Sequence, residues 1–165
     1  MTSIKLDGRT LSPSEIMLVA SGTDVEISPD SILGINQSRR VVEDILLSGE
    51  TVYGINTGFG SLVSENISPE DLVQLQLNLI RSHACAVGEK MSKYDTRAMM
   101  CVRANSLIKG HSGIQLSVIN QIITYLNNDI IPVVPRIGSL GASGDLAPLS
   151  HMVLTLIGEG FVWNG

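Results

Sequence analysis

The chain has 165 residues, of which 44% are hydrophobic and 16% charged, and its formal net charge is −5 at pH 7. This length suffices for one domain with its own core, and we expect residues 1–165 to form a single domain. An acidic chain without long runs of like charge is a poor partner for nucleic acid, so we predict none. The charged fraction is below the roughly 25% typical of soluble domains, which indicates that other protein covers part of the surface.

The N-terminal residues lack the apolar core of a signal peptide, and no apolar run is long enough to span a bilayer. Cys85 and Cys101 lack CxxC spacing, which favours reduced thiols packed in helices. These features predict a soluble, cytoplasmic protein with no membrane partner. The three histidines, His83, His111 and His151, have no spacing that supports a metal site, so we predict no metal.

Serine followed by proline marks three predicted helix starts, at Ser12, Ser28 and Ser68. In such pairs the serine can cap free amides of the first turn, and the proline loses no hydrogen bond there. The apolar periodicity predicts helices over residues 13–21, 29–48, 69–87, 95–109, 113–128 and 146–157. Four of these are followed by a glycine that is expected to end them, namely Gly22, Gly49, Gly88 and Gly110.

Short extended segments are predicted at residues 3–6, 25–27 and 51–53. Two prolines, Pro132 and Pro135, keep the intervening residues out of a helix. Residues 158–165 are interpreted as a turn and the start of a hairpin that has no return strand. The predicted fold is therefore mainly α, with short strands near the N-terminus.

The most informative segment runs from Gly138 to His151 and reads GSLGASGDLAPLSH. Its small residues allow the backbone to fold back on itself, so the amide nitrogen of Gly144 can attack the carbonyl carbon of Ala142. Loss of one water at closure and of a second from Ser143 gives a methylidene-imidazolone. This ring is a strong electrophile, a kind of group that no standard side chain supplies. The positive end of the following helix is expected to stabilise negative charge on the ring oxygen.

The segment has two other interpretations besides the electrophile. The first is a glycine-rich loop in which Asp145 caps the next helix. The second is a serine-hydrolase elbow, which is excluded because the GxSxG frame that begins at Gly141 has Asp145 where glycine is required.

Three further segments carry a resemblance to a known family: YGINTGFG at residues 53–60, NLIRSHA at 78–84, and RANSL with GHSG between 103 and 113. Together with residues 138–151, and in this order, they resemble the histidine and aromatic amino acid ammonia-lyases along essentially the whole chain. The resemblance implies the N-terminal part of a fumarase/aspartase-like helical lyase. It also implies a methylidene-imidazolone prosthetic group formed from Ala142, Ser143 and Gly144, with no external cofactor.

The resemblance implies roles for several side chains as well. Tyr53 is expected to be the base that takes the substrate β-proton, although a lone tyrosine before glycine more often only packs. Gly58 and Gly60 do not fit a phosphate-binding pattern and are expected to form a mobile lid. His83, considered alone, is a core histidine on an apolar helix face, but the family reads the substrate side chain at this position, where histidine can hydrogen-bond an imidazole. His111 and His151 are predicted to be structural.

Members of this family are much longer and form homotetramers, so the resemblance implies that a C-terminal helical bundle is absent here and that the chain alone is inactive. The Ser82-His83 pair favours L-histidine as the substrate, deaminated without oxidation to trans-urocanate and ammonia. Two alternatives stay open. One is a phenylalanine or tyrosine ammonia-lyase or aminomutase with the same electrophile, and the other is a fragment that is inert or only packs against a partner.

Overall fold

The computed structural model describes residues 3–58, 67–138 and 146–164. Within these ranges the helices are α1 (Pro13–Ala20), α2 (Pro29–Ser48), α3 (Pro69–His83), α4 (Lys93–Ile108), α5 (Leu116–Asn127) and α6 (Leu146–Leu156). The strands are β1 (Ile4–Leu6), β2 (Val25–Ile27), β3 (Val87–Lys90) and β4 (Pro135–Ile137). The predicted mainly helical fold is confirmed.

The strands form two separate pairs. Strands β1 and β2 are parallel, with Ile4 opposite Val25, and they match two of the predicted extended segments. Strands β3 and β4 are antiparallel, with Val87 opposite Ile137, and neither was predicted. Within the described ranges, no helix is long and apolar enough to cross a membrane.

The helix starts follow the serine-proline signals, with one exception. Ser12 makes a full capping box, because its hydroxyl accepts from the Glu15 amide while the Glu15 carboxylate accepts from the Ser12 amide. Ser68 caps α3 by accepting from the amide of Asp71. Ser28 precedes α2 as predicted but its side chain makes no cap hydrogen bond, so the predicted cap at this position is wrong.

The predicted end of α3 is also wrong. The helix stops at His83 instead of residue 87, and Gly88 lies inside β3 instead of ending the helix. The reason is a long-range contact, because the Ala86 amide donates to the ring of His151 instead of continuing the helical pattern. Cys85 is therefore exposed and outside a helix, contrary to prediction. Cys101 is buried in α4, where burial raises the pKa of its thiol to about 11.

Two predictions about extended structure need correction. Residues 51–53 are not a strand, because the buried side chain of Asn56 bonds the backbone of residues 50 and 52 and forms a turn. Residues 161–163 do have a partner, since the Val133 amide donates to the Phe161 carbonyl and the Trp163 amide donates to the Ile131 carbonyl, each at 2.8 Å. The expected return strand is replaced by a segment that comes earlier in the chain.

Helix α4 passes through the centre of the core and packs against α1, α2, α5 and β1. The side chains of Met100, Cys101 and Ala104 have no exposed surface. The surrounding buried residues come from both ends of the chain and include Leu6, Val19, Val25, Ile35, Ile119, Ile122, Leu126, Ile131 and Met152. This core joins the N-terminal strands to α6, and so it holds the flanks of the functional segments in one unit.

A buried arginine connects three of these helices. Arg97 on α4 is only 4% exposed, and its Nε donates to the carbonyl of Val19 at the end of α1. Its Nη1 donates to the carbonyl of Leu126 at the end of α5 and to Asp129. A cation stabilises the free carbonyls at helix C-termini, so this guanidinium fixes α1 and α5 to α4.

We predict that Arg97→Met lowers the free energy of unfolding by about 2–4 kcal/mol, because two buried carbonyls lose their donor. The matched control is Arg136→Met, which removes an exposed ion pair with Asp95 and should cost much less. The measurement is urea-induced unfolding of both variants beside the unchanged chain. Equal destabilisation by the two substitutions would contradict the role of Arg97.

Candidate active site

The segment predicted to form the electrophile, with Ala142, Ser143 and Gly144, lies outside the described residues, and so does Gly60. The structure does describe both flanks of that segment, Gly138 on one side and α6 on the other. It also describes Tyr53, Gly58 and His83. The candidate site is therefore built here from the elements that carry or flank the predicted residues.

The two flanks of the segment meet at Ala86. A Cβ placed on Gly138 would lie 2.6 Å from the Cβ and 2.8 Å from the Cα of Ala86, and 3.1 Å from the Cβ of Ala147. Ala86 and Ala147 are both buried. Gly138 is therefore required by space, because any side chain would push strand β4 away from Ala86. Ala86 follows His83 by three residues, so the flanks close against the segment that carries His83.

His151 adds a hydrogen bond to the same point. The Ala86 amide donates to Nε2 of His151 at 3.1 Å in a partly buried environment. A ring nitrogen that accepts must be unprotonated, so the ring is neutral with its proton on Nδ1. Desolvation by burial lowers the pKa of His151, which favours this form. The contact agrees with the structural role predicted for His151, whereas His111 is exposed.

His83 lies at the end of α3 and is half-buried, so it is not a core residue. Its Nδ1 is 2.8 Å from the Leu79 carbonyl oxygen and 3.2 Å from the Ser82 hydroxyl. The carbonyl can only accept, so in the neutral ring Nδ1 carries the proton and Nε2 is left as an acceptor. The helix thus orients the imidazole and leaves one nitrogen able to receive a hydrogen bond.

Tyr53 lies in a turn at residues 53–55 and is 60% exposed. The turn is held by Asn56, whose side chain is buried, accepts from the Val52 amide at 2.9 Å and donates to the Glu50 carbonyl at 2.8 Å. Asn56 belongs to the YGINTGFG motif, but its structural role was not predicted from the sequence. An asparagine inside a glycine-rich turn is the signal that could have identified it.

Gly58, one of the two predicted lid glycines, is buried, and its carbonyl accepts from the hydroxyl of Thr57 at 2.9 Å. Thr57 is itself only 2% exposed. Since Gly60 is outside the described residues, the lid stays a prediction.

The ends of α3 and α6 are joined by an ion pair that the sequence did not suggest. The Nε of Arg81 lies 3.1 Å from both carboxylate oxygens of Glu159, in a bidentate arrangement with Nη2. The pair raises the pKa of Arg81 and lowers that of Glu159 through hydrogen bonding and charge. The partners are 78 residues apart in the chain, so no local pattern predicts the contact.

A mainly apolar cavity of about 670 Å³ lies beside these elements, between α2, α3 and the turn of Tyr53. Its walls include Gly54, next to Tyr53, and Ile80, one turn before His83. Tyr53 and His83 are not among the described residues that line it. The structure thus brings the two predicted segments to one cavity, but it does not bring the two side chains together there.

Comparison with known proteins shows the family to which the chain belongs. The family model described as aromatic amino acid lyase matches residues 11–165, so the chain belongs to the aromatic amino acid lyase family. Curated relatives include the histidine ammonia-lyase of Streptococcus pyogenes serotype M5, 49% identical over 95% of this chain and 31% of the relative. The histidine ammonia-lyase of Geobacillus thermodenitrificans is 49% identical over 96% of this chain and 32% of the relative.

Solved structures give the same result for the fold. The chain superposes on histidine ammonia-lyase from Trypanosoma cruzi with a TM-score of 0.88 at 40% identity, covering 98% of this chain and 31% of that one. Tyrosine aminomutase from Streptomyces globisporus superposes with a TM-score of 0.91 at 36% identity, and the match covers 99% of this chain and 31% of that one. The chain spans about a third of the length of the curated relatives it matches.

The hydrogen bond of His151 makes a prediction about acid stability. The folded chain holds the pKa of His151 below its ordinary 6.5, so the unfolded chain takes up this proton first as pH falls. The contribution of the neutral His151 ring to the free energy of unfolding is therefore complete above about pH 6.5 and is lost progressively as pH falls below it. We expect His151→Gln, which accepts but does not titrate, to lack this component when unfolding is measured between about pH 5 and pH 8. Identical pH dependence in both proteins would contradict the assignment.

Proposed function

We propose that this chain is part of a histidine ammonia-lyase, which converts L-histidine to trans-urocanate and ammonia. The observation that carries the proposal is the meeting of Gly138, Ala86 and Ala147, because it closes both flanks of the segment around Ser143 against the segment that carries His83. The 49% identity to histidine ammonia-lyases supports the choice of reaction. The chain covers only part of those proteins, so the activity is proposed for a protein of their full length.

Ala142, Ser143 and Gly144 are proposed to form the methylidene-imidazolone. The described flanks fit such a group, because Gly138 leaves room only for backbone at the crowded contact and α6 begins two residues after Gly144. The positive N-terminal end of a helix that follows the group would favour negative charge developing on it. The group would supply an electrophile, formed from the chain's own residues without an external cofactor.

Tyr53 is proposed as the base. A phenolate oxygen takes the β-proton of the substrate, the electron pair of the C–H bond forms the new double bond, and the C–N bond breaks to release ammonia. The exposed position of Tyr53 on a turn fixed by Asn56 supports this role, because the phenol can reach a substrate while its backbone is held.

His83 is proposed to read the substrate side chain. Its Nδ1 proton is directed to the Leu79 carbonyl, so Nε2 can accept from an imidazole N–H of histidine. A phenyl ring offers no donor to that nitrogen, whereas a phenol O–H can donate to it, so this contact separates histidine from phenylalanine but not from tyrosine. The alternative of an aromatic amino acid ammonia-lyase or aminomutase, the latter class represented among the neighbours by tyrosine aminomutase, is separated by product analysis on histidine, phenylalanine and tyrosine.

The working form is proposed to be a cytoplasmic homotetramer. Exposed apolar side chains on α2 and α3 support burial against further protein, since Leu33, Leu47 and Val73 are 67%, 86% and 69% exposed. The buried thiol of Cys101 is consistent with a reducing compartment.

The proposed electrophile can be tested by mass. The intact mass of the full-length protein should be lower than the encoded mass by two waters, and Ser143→Ala should restore one of them and abolish activity. Electrospray mass spectrometry of the denatured protein measures both. A full-length protein that is active at its encoded mass would overturn the proposed function, and an unmodified, inactive one would favour the alternative in which this part of the chain only packs against a partner.

The second prediction concerns Tyr53. Replacement by phenylalanine removes only the hydroxyl, so folding should be kept while kcat falls by roughly 10²-fold or more. Tyr94→Phe, at a partly exposed tyrosine on α4, is the matched control and should keep normal turnover. Near-normal kcat in Tyr53→Phe would mean that another group takes the β-proton.

The third prediction concerns selectivity. His83→Leu keeps the apolar contact but loses the hydrogen-bond acceptor, so kcat/KM for histidine should fall. The fall should correspond to a loss of about 1–3 kcal/mol in transition-state stabilisation. His111→Leu, at an exposed histidine, serves as the control and should leave kcat/KM unchanged. Unfolding of His83→Leu without a specific kinetic defect would support a packing role for His83 instead.

A further inference from the structure

We infer that His151 is a positioning residue of the active site, holding α6 in register with the segment that carries His83. The inference rests on the proposed function. His151 touches neither substrate nor the reacting atoms in this role. It acts through the backbone of Ala86, to which its Nε2 is bonded at 3.1 Å.

Contacts from three parts of the chain converge at Ala86. Its amide bonds His151 from α6, 65 residues away in the chain. Its Cα and Cβ occupy the space that a side chain at Gly138 would need, and Ala147 of α6 completes the contact. A displacement of Ala86 would therefore move the Gly138 flank, the first turn of α6 and the end of α3 relative to one another.

Two residues of α6 have neighbouring partners, because Ala147 lies beside Gly138 and His151 bonds the amide of Ala86. Ala147 limits the approach of the helix through its Cβ, whereas the His151 ring fixes direction, because a hydrogen bond weakens steeply away from linear geometry. Without the acceptor, the Ala86 amide would lose its partner in a partly buried position. The α3–β3 link could then shift to seek another one.

The position of these flanks also matters for formation of the proposed prosthetic group. Cyclisation requires the nitrogen of residue 144 to be held against the carbonyl carbon of residue 142, and fixed flanks reduce the conformational entropy that this alignment costs. His83 depends on the same register, because it precedes Ala86 by three residues. His151 is therefore expected to influence both the formation of the ring and the binding of the substrate side chain. It is itself neither part of the ring nor a substrate-binding residue.

The experiment uses three substitutions in the full-length protein. His151→Gln keeps an acceptor at the reach of Nε2, His151→Asn offers the same amide one methylene shorter, and His151→Met fills the space without a strong acceptor. His111→Asn is the control at an exposed histidine. The readouts are the fraction of folded protein that has lost two waters, hydrogen exchange at the Ala86 amide, and kcat and KM for histidine.

We expect His151→Gln and His111→Asn to match the unchanged protein. In His151→Asn and His151→Met, the Ala86 amide should exchange faster and loss of water should slow by on the order of 10-fold to 100-fold. Any converted protein should have a raised KM for histidine, because His83 is displaced.

Full conversion with an unchanged KM in the folded Asn or Met variant would overturn the inference, even if thermal stability fell. Failure of both variants to fold would assign His151 a purely structural role and also overturn it. If the unchanged protein itself shows no loss of water, the proposed function fails first. This outcome is distinguishable because it does not depend on any substitution at His151.

Discussion

The close packing around α4 is the constraint on which the other elements depend. Residues from the N-terminal strands, from α5 and from α6 share one core around Met100, Cys101 and Ala104, none of which is exposed. The chain must then turn tightly at the end of this helix. A Cβ on Gly110, which has φ +72°, would lie 2.8 Å from the carbonyl carbon of Gly34 in α2. Movement of α4 would therefore disturb both the core and the path of α2.

Local signals predicted the parts of the fold that local physics determines. Ser12 and Ser68 cap helices as expected, and Gly49 ends α2 in the left-handed conformation. Two of the errors occur where distant residues determine the structure. The end of α3 depends on the bond from Ala86 to His151, and residues 161–163 pair with residues 131–133, so neither outcome is visible in a short window.

The residues of the candidate site also fall into two groups, those that short motifs reveal and those that depend on contacts in the folded chain. The resemblance pointed to the residues proposed for chemical roles because they lie in short motifs such as YGINTGFG. The contacts that hold those motifs in place were missed. Asn56 organises the turn of Tyr53, and Arg81 joins the end of α3 to Glu159 after α6. Gly138 was visible as part of a glycine-rich run, but its reason, the lack of space beside Ala86, exists only in three dimensions.

The two histidines near Ala86 use the same ring atom for two different purposes, one proposed to bind a ligand and the other to hold the fold. The helix backbone directs the Nδ1 proton of His83 to Leu79, so its Nε2 is left to accept from a ligand. In His151 the Nε2 acceptor is already used by the Ala86 amide, so its partner is fixed by the fold. The proposed recognition of an imidazole substrate and the register of α6 therefore depend on the same ring atom, an Nε2 that accepts a hydrogen bond, and both act on the short segment from His83 to Ala86.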